Sequence, residues 1–189
     1  MKTKTINIYQ FDELSTRAKE TARAWWRSCI DENDYIAVIE DAVRMGAILG
    51  IEISSHRWTN SFKFSGSSPN IYWSGFGSQG DGACYEAFYS YRRGAVKAIR
   101  NETSDLELLY IAEQLYYVQR KAHFALVATT THTGRYYNSG YISATVERSD
   151  GVEVTDRQEE AITDLLRRFA NWIYSQLDAE NDYSTATNR

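Results

Sequence analysis

The sequence predicts a single α+β domain, in which a mostly antiparallel sheet of about five or six strands packs against three to four helices. Three observations predict this class. Apolar residues recur at helical spacing in some segments and alternate in others. The predicted strands and helices lack the regular alternation of a parallel sheet. A chain of 189 residues with 43% apolar side chains can build one core. We place this domain at residues 1–179 and predict a polar tail over residues 180–189.

The first part of the chain predicts two helices flanked by strands. Short alternation indicates the strands, and apolar spacings of three and four indicate the helices. These elements are a strand over residues 4–9, helices over 11–29 and 35–49, and a hairpin over 51–64 that turns near Thr59 and Asn60. Gly50 is suited to end the second helix, because glycine readily adopts the left-handed conformation there. Residues 65–70 read as a loop.

The second part alternates strand-like and helical segments. The strands are predicted over residues 71–73, 83–91, 124–131 and 141–147, with Ile142, Ala144 and Val146 facing the core. The helical segments are a turn over 95–99, a helix that begins with a Ser104/Glu107 capping box and ends near Lys121, and a helix that begins with a Thr155/Gln158 capping box. The last helix carries an apolar stripe made of Ile162, Leu165, Leu166, Phe169, Trp172, Ile173 and Leu177.

The segment SGFGSQGDGACYE, residues 74–86, is rich in glycine and lies between two aromatic runs. It predicts a connection between two antiparallel strands. Exposed loops often carry function. Three interpretations stay open, namely a plain hairpin connection, a contact surface for a protein or ligand, and a catalytic loop.

Aromatic residues beside Ser, Gly and Asn favour a contact surface, since this is the composition of many recognition surfaces. A second turn-rich segment, HTGRYYNSG, has the same character. The candidate binding residues are Ser74, Phe76, Ser78, Gln79, Asp81, Tyr85, Arg135, Tyr136 and Tyr137. The alternative is an aromatic core with tyrosine hydroxyls at its rim.

The residues that carry chemistry form no recognisable catalytic or metal motif. The glycine-rich segment lacks the Lys of a phosphate-binding loop, and Asp81 is its only carboxylate before Tyr85. Cys84 with His123 or His132 as base is the one candidate nucleophilic pair. The spacing of the three histidines, including His56, matches no metal site. We therefore predict no catalytic residue, no metal and no cofactor.

Charge and hydropathy limit the partners. A net charge of -4 disfavours nucleic acid as the main partner. A short basic cluster at Arg92, Arg93, Lys97 and Arg100 keeps a nucleotide ligand possible. No segment is apolar enough for a membrane span, and the start, MKTKTINIYQ, lacks a signal sequence, so we expect a cytoplasmic protein without a membrane partner. The widely separated Cys29 and Cys84 are predicted to be free thiols.

Four segments in order, NIYQFDELSTRAKETARAWWR, SGFGSQGDGACYE, GAVKAIR and RRFANWIYSQL, resemble a family of small bacteriophage and prophage proteins. Its members are commonly labelled antitoxin of a toxin-antitoxin system. The resemblance spans most of residues 1–180. It implies an accessory protein that acts in the host cytoplasm on a toxin, a defence complex or a small signal molecule.

We interpret the chain as a non-enzymatic binding protein that neutralises a host protein, either a toxin or an antiviral defence component. The alternative is a nucleotide-binding protein or enzyme that acts on, or sequesters, a phosphate-containing signal molecule. A structural component of the virion is a third possibility.

Overall fold

The computed structural model describes residues 9–29, 35–59 and 65–186. Within these ranges the helices are α1 (Thr16–Cys29), α2 (Ile36–Leu49), α3 (Ala95–Glu102), α4 (Leu106–Lys121) and α5 (Asp156–Ala186). The strands are β1 (Ile51–Ile53), β2 (Ser55–Thr59), β3 (Ser65–Pro69), β4 (Ile71–Ser74), β5 (Gly82–Tyr85), β6 (Ala87–Ser90), β7 (Leu126–His132) and β8 (Ile142–Arg148). The predicted single α+β domain is confirmed.

The strands form three antiparallel groups. The main sheet has the order β1-β6-β7-β8, and two separate ribbons pair β2 with β3 and β4 with β5. The predicted antiparallel pairing is therefore confirmed, while the strands are divided among three sheets. The β4/β5 ribbon is the pair that the sequence predicted around the glycine-rich segment, with Ser74 opposite Gly82 at its end.

Helices α2, α4 and α5 contact the main sheet. On one face of this sheet Ile51, Tyr89, Leu126 and Ile142 are almost fully buried. On the other face Phe88 is 44% exposed, since neighbouring residues in a strand point to opposite faces. The sheet is therefore hydrophobic on one side and solvated on the other.

The long helix α5 forms the centre of the core. Every member of its predicted apolar stripe is buried. Its predicted capping box is present, because the Thr155 amide donates to Gln158 Oε1 at 3.1 Å and the Gln158 amide donates to Thr155 Oγ1 at 3.3 Å. The helix continues to Ala186. Residues 180–186, predicted from the sequence as part of a polar tail, belong to this helix.

Three strand connections meet at one junction, formed by Ser54, Asn70 and Glu86. The Asn70 amide donates to Ser54 O at 2.7 Å, the Ser54 amide to Glu86 O at 2.8 Å, and the Glu86 amide to Asn70 O at 3.0 Å. The Asn70 side chain donates to Glu86 Oε2 at 2.8 Å. Because each residue lies between two strands, this junction divides the chain into the main sheet and two ribbons.

Several predicted boundaries require correction. The strand predicted over residues 83–91 is interrupted at Glu86, where the junction redirects the chain. Residues 65–69 form a strand paired with β2 and not a loop. The N-cap of α4 is Asp105 and not Ser104, because Asp105 Oδ1 accepts from the amides of residues 107 and 108. Carboxylates cap helices well at this position.

Two predictions fall wholly or partly outside the described residues. The strand predicted over residues 4–9 lies there except for Tyr9, which is not in a strand. The hairpin predicted over residues 51–64 is only partly as predicted, because β2 pairs with Ser65–Pro69, and residues 60–64, including Asn60 of the predicted turn, lie outside the described ranges. Helix α1 begins at Thr16, later than predicted, after a 3-10 helix at Phe11–Glu13. None of the described helices combines the length and apolar character that a membrane span requires.

Candidate binding surface

The glycine-rich connector, residues 75–81, joins β4 to β5 and is attached to α5 at its start. The Phe76 ring stacks on the Tyr174 ring with centroids 5.6 Å apart. The Tyr174 hydroxyl donates to Gly75 O at 3.3 Å. Burial, followed by the charges of Asp81 and Asp178, raises the pKa of Tyr174. The hydroxyl therefore keeps its proton for this hydrogen bond at neutral pH.

Asp81 closes the connector on itself. Its Oδ2 accepts from the Ser78 amide at 2.6 Å, and its own amide donates to Ser78 O at 3.2 Å. A Cβ at Gly75, where φ is +51°, would lie 2.3 Å from the same carboxylate. Glycine is required there for space and for the left-handed backbone. The Asp81 carboxylate thus serves the loop structure.

A second loop, residues 133–141, is attached to the other end of the connector. Asn138 Nδ2 donates to Gly80 O at 3.0 Å, and Asn138 Oδ1 accepts from the Gly140 amide at 3.0 Å. A Cβ at Gly82 would lie 2.5 Å from the Asn138 Cβ, so the two loops are in direct contact. The sequence proposed both loops as binding segments, and the structure brings them together.

The second loop is supported by rings from the strands below it. Tyr137 stacks on Tyr72 of β4 with centroids 5.6 Å apart and an interplanar angle of 23°. The His132 ring lies 5.1 Å from the Tyr137 ring, and His132 Nε2 is 3.2 Å from Tyr136 O. Burial is the largest cause of a raised pKa at Tyr72, followed by the charge of Glu86. Tyr137 is thus held by two ring contacts while 39% of its surface stays exposed.

We call the connector and the second loop together the two-loop surface. Ser78, Gln79 and Arg135 are exposed on it. Tyr136 is 46% exposed and Tyr137 39% exposed. Ser74, Phe76 and Asp81 are half-buried. The outer layer thus combines aromatic rings, amide and hydroxyl groups and one cation.

Tyr85 must be removed from the predicted binding residues. Its side chain is fully buried, its ring packs against the Phe169 ring at 5.5 Å, and its hydroxyl donates to Leu166 O at 2.9 Å. The ribbon is covered on both faces at this point, since all four residues of β5 are buried. Tyr85 is therefore a core residue, and its hydroxyl lies inside the core and not at the rim.

The candidate nucleophile Cys84 is unsuited to catalysis. Its side chain is buried, and burial, together with the nearby charge of Glu86, raises the pKa of the thiol to about 12. The thiolate is the reactive form, so this group stays unreactive at neutral pH. Among the described residues, no group of three or more His, Cys, Asp or Glu side chains is arranged to hold a metal ion.

The basic cluster lies at a different site from the connector. Arg92, Lys97 and Arg100 line a cavity formed with α3 and α4, and no residue of the connector lines it. In the connector, the Ser78 amide donates to the Asp81 carboxylate, so this amide is already used within the loop and not by a phosphate. The structure therefore does not bring the glycine amides and the arginines together around one phosphate.

Sequence reasoning missed Asn138, Tyr72 and Tyr174 as supports of the surface. The sequence marks Asn138 as a turn residue, because Asn accepts hydrogen bonds from nearby amides. Its partner Gly80 is 58 positions away. Only the tertiary structure shows that the turn of one loop holds the other.

The protein is thus a single-domain α+β protein in which two loops, joined by a hydrogen bond, lie beside a long C-terminal helix. The chain belongs to the family described as Domain of unknown function (DUF8835), whose model matches residues 35–187. The match includes both loops. No curated protein and no solved structure matches this chain.

Proposed function

We propose that this protein is a non-enzymatic binding protein that uses the two-loop surface to bind and neutralise a protein of its host. The observation that carries the proposal is the division of roles within the two loops. Asn138, Asp81 and Phe76 hold the loops in place, while the exposed residues are Ser78, Gln79, Arg135, Tyr136 and Tyr137.

A fixed loop with exposed tyrosines suits protein recognition for a physical reason. Tyrosine offers a large contact area with little side-chain entropy to lose, and short polar side chains adapt to hydrogen-bonding partners. Loops that are already ordered also avoid much of the ordering cost of binding. The resemblance to phage and prophage proteins supports a toxin or an antiviral defence component as the partner, met in the host cytoplasm.

The contact is tested by placing a photo-crosslinking amino acid at position 136, on the two-loop surface, and at position 117, on the exposed face of α4. The two tyrosines are similarly exposed, at 46% and 53%. We expect a host protein to crosslink from position 136 and not from position 117. Equal crosslinking from both positions would show that this surface is not selective.

The crosslinked protein is then purified and its affinity is measured directly. We expect a Tyr136→Ala/Gln79→Ala variant to bind it at least about tenfold more weakly, because central tyrosines contribute strongly at interfaces. Tyr117→Ala should bind as the wild type does. Neutralisation requires that wild-type protein relieve the growth inhibition or antiviral effect of the partner, and that the double variant fail to do so.

A further inference from the structure

A cavity of about 340 Å³ lies between α3 and α4, at the end of β6. Ligand pockets in proteins have volumes of about 300–1,000 Å³, so this one suits a small molecule. Its lining residues include none from the two-loop surface. A function of this cavity is therefore independent of the proposed protein contact.

The floor of the cavity is apolar. Leu49, Ala112 and Leu115 contribute aliphatic groups, and Tyr89 contributes its ring. The Tyr89 hydroxyl accepts a hydrogen bond from Gln119 Nε2 at 3.2 Å. A nucleobase in this position would bury polar edge atoms against hydrocarbon, which is unfavourable without partners. The floor therefore favours an apolar group over a nucleobase.

The rim of the cavity is cationic. Arg92, Lys97 and Arg100 line it, against one carboxylate, Glu113. Arg100 Nη2 lies 3.0 Å from Glu113 Oε1, which neutralises that pair. Within the described part of the chain, Arg92 and Lys97 have no carboxylate partner. Two uncompensated cations thus stand above an apolar floor.

The backbone adds to this positive potential. Helix α3 begins after Gly94 with no side chain capping its first turn, and Ala95 and Val96 at this end line the cavity. The first turn of a helix carries a partial positive charge from its amide groups. An anion at the rim would be attracted by this end of α3 as well as by the two side chains.

We infer that this cavity binds a small amphipathic organic anion. Its apolar body, an alkyl chain or a single aromatic ring, packs on Leu49, Ala112 and Leu115. Its carboxylate or phosphate lies at the rim with Arg92 and Lys97. The ligand needs both an apolar body and an anionic group, because the floor has few hydrogen-bonding partners for a polar group and the cationic rim repels a cation.

The inference is tested by isothermal titration calorimetry, which measures the affinity of four probes, namely octanoate, octyl phosphate, octylammonium and adenosine monophosphate. We expect octanoate or octyl phosphate to bind, and the stronger of the two identifies the acid group. We expect octylammonium and the nucleotide to bind at least about tenfold more weakly. Equal binding of octylammonium, tighter binding of the nucleotide, or no binding of either octyl anion would overturn the inference.

Matched variants locate the binding. Arg92→Ser/Lys97→Ser removes two exposed cations and should weaken binding of the octyl anion about tenfold, as expected for charge-assisted contacts. Arg93→Ser changes a neighbouring exposed arginine that does not line the cavity, and should bind as the wild type does. Equal affinity in the double variant and the wild type would contradict the assignment. Neither change should affect partner binding at the two-loop surface, so each proposal can fail separately.

Discussion

Asn138 connects two loops through a single side chain that donates to Gly80 O and accepts from the Gly140 amide. We expect Asn138→Ala to lower the free energy of unfolding by about 1–2 kcal/mol, because two hydrogen bonds of a half-buried side chain are lost and each contributes about 0.5–1 kcal/mol. Urea denaturation measures this change. Amide exchange in residues 75–81 should also become faster, because the connector loses its second attachment.

The control for this prediction is Asn101→Ala, which changes an exposed asparagine in α3. We expect an effect within about 0.5 kcal/mol, as for most surface substitutions. If both variants lose the same stability and exchange alike, Asn138 does not hold the loops together.

Gln119 is a buried polar residue that joins α4 to the main sheet. Its Nε2 donates to Leu126 O at 2.7 Å, and its Oε1 accepts from the Leu126 amide at 3.2 Å. We expect Gln119→Leu to lower the free energy of unfolding by about 2–3 kcal/mol, because both backbone groups are left buried without partners. Urea denaturation provides the measurement.

Gln114→Leu is the matched control, since Gln114 lies on the same helix and is only half-buried. Its unfolding free energy should change by less than about 0.5 kcal/mol. A comparable loss in both variants would mean that the helix, and not the bonds of Gln119, determines the effect.

Single residues show the limit of sequence patterns. Phe88 and Tyr89 take opposite faces of the sheet, as the alternation of side chains in any strand requires, because side-chain direction in a strand is a local property. Alternation did not identify Tyr85 as buried, because helix α5 covers the ribbon from a distant part of the chain. The exposed members of the candidate surface, such as Gln79 and Tyr136, were predicted from local glycine and turn composition.

Among the structural elements, the strand junction has the most specific prediction. Asn70 donates to Glu86 Oε2, and its Oδ1 lies 2.8 Å from His56 Nδ1. We expect Asn70→Ala to lower the free energy of unfolding by about 2 kcal/mol, since two hydrogen bonds in a mostly buried position are lost. Urea denaturation measures the loss, and amide exchange should show that the β2/β3 ribbon opens more readily.

His56→Ala provides the comparison at the junction, because it removes one of these bonds from an exposed side chain. We expect less than half the effect of Asn70→Ala. An equal loss in the two variants would show that the bond between Asn70 and Glu86 contributes nothing.

The sequence predicts helix α5 but does not predict the strand junction. The capping box and apolar stripe of α5 depend on residues within a few positions of one another, so periodicity was sufficient to predict both. The junction depends on Ser54, Asn70 and Glu86, which are 16 residues apart in successive steps along the chain. Nothing in the local pattern of residues 83–91 indicates that hydrogen bonds from elsewhere interrupt this strand.

At the scale of the whole molecule, we expect the free energy of unfolding to decrease at alkaline pH, because one thiol and two tyrosine hydroxyls are buried. Burial raises the pKa of the Cys84 thiol from its ordinary value of 9.0 to about 12, and it also raises the pKa values of the Tyr85 and Tyr89 hydroxyls. Above about pH 9 the unfolded chain therefore releases protons that the folded protein retains. The contribution of these groups to the free energy of unfolding is fully present below their pKa values in the unfolded chain. It is lost as the pH rises from those values toward the higher pKa values of the folded protein.

Urea denaturation at about pH 8 and about pH 10.5 tests this prediction. We expect a lower free energy of unfolding at the higher pH. Tyr85→Phe should be less stable at pH 8, because the hydrogen bond to Leu166 O is lost, but should lose less stability on going to the higher pH. An identical pH dependence in wild type and variant would contradict the role of this tyrosine.

The attachment of the connector has a consequence for its variation among related chains. The contacts that hold it pass through the Phe76 ring, the Asp81 carboxylate and the backbone of Gly75, Ser78 and Gly80. The side chains of Ser78 and Gln79 carry none of these described contacts. If the two-loop surface binds a partner as proposed, substitutions at these two positions change the side chains that meet the partner and leave the contacts that hold the connector in place.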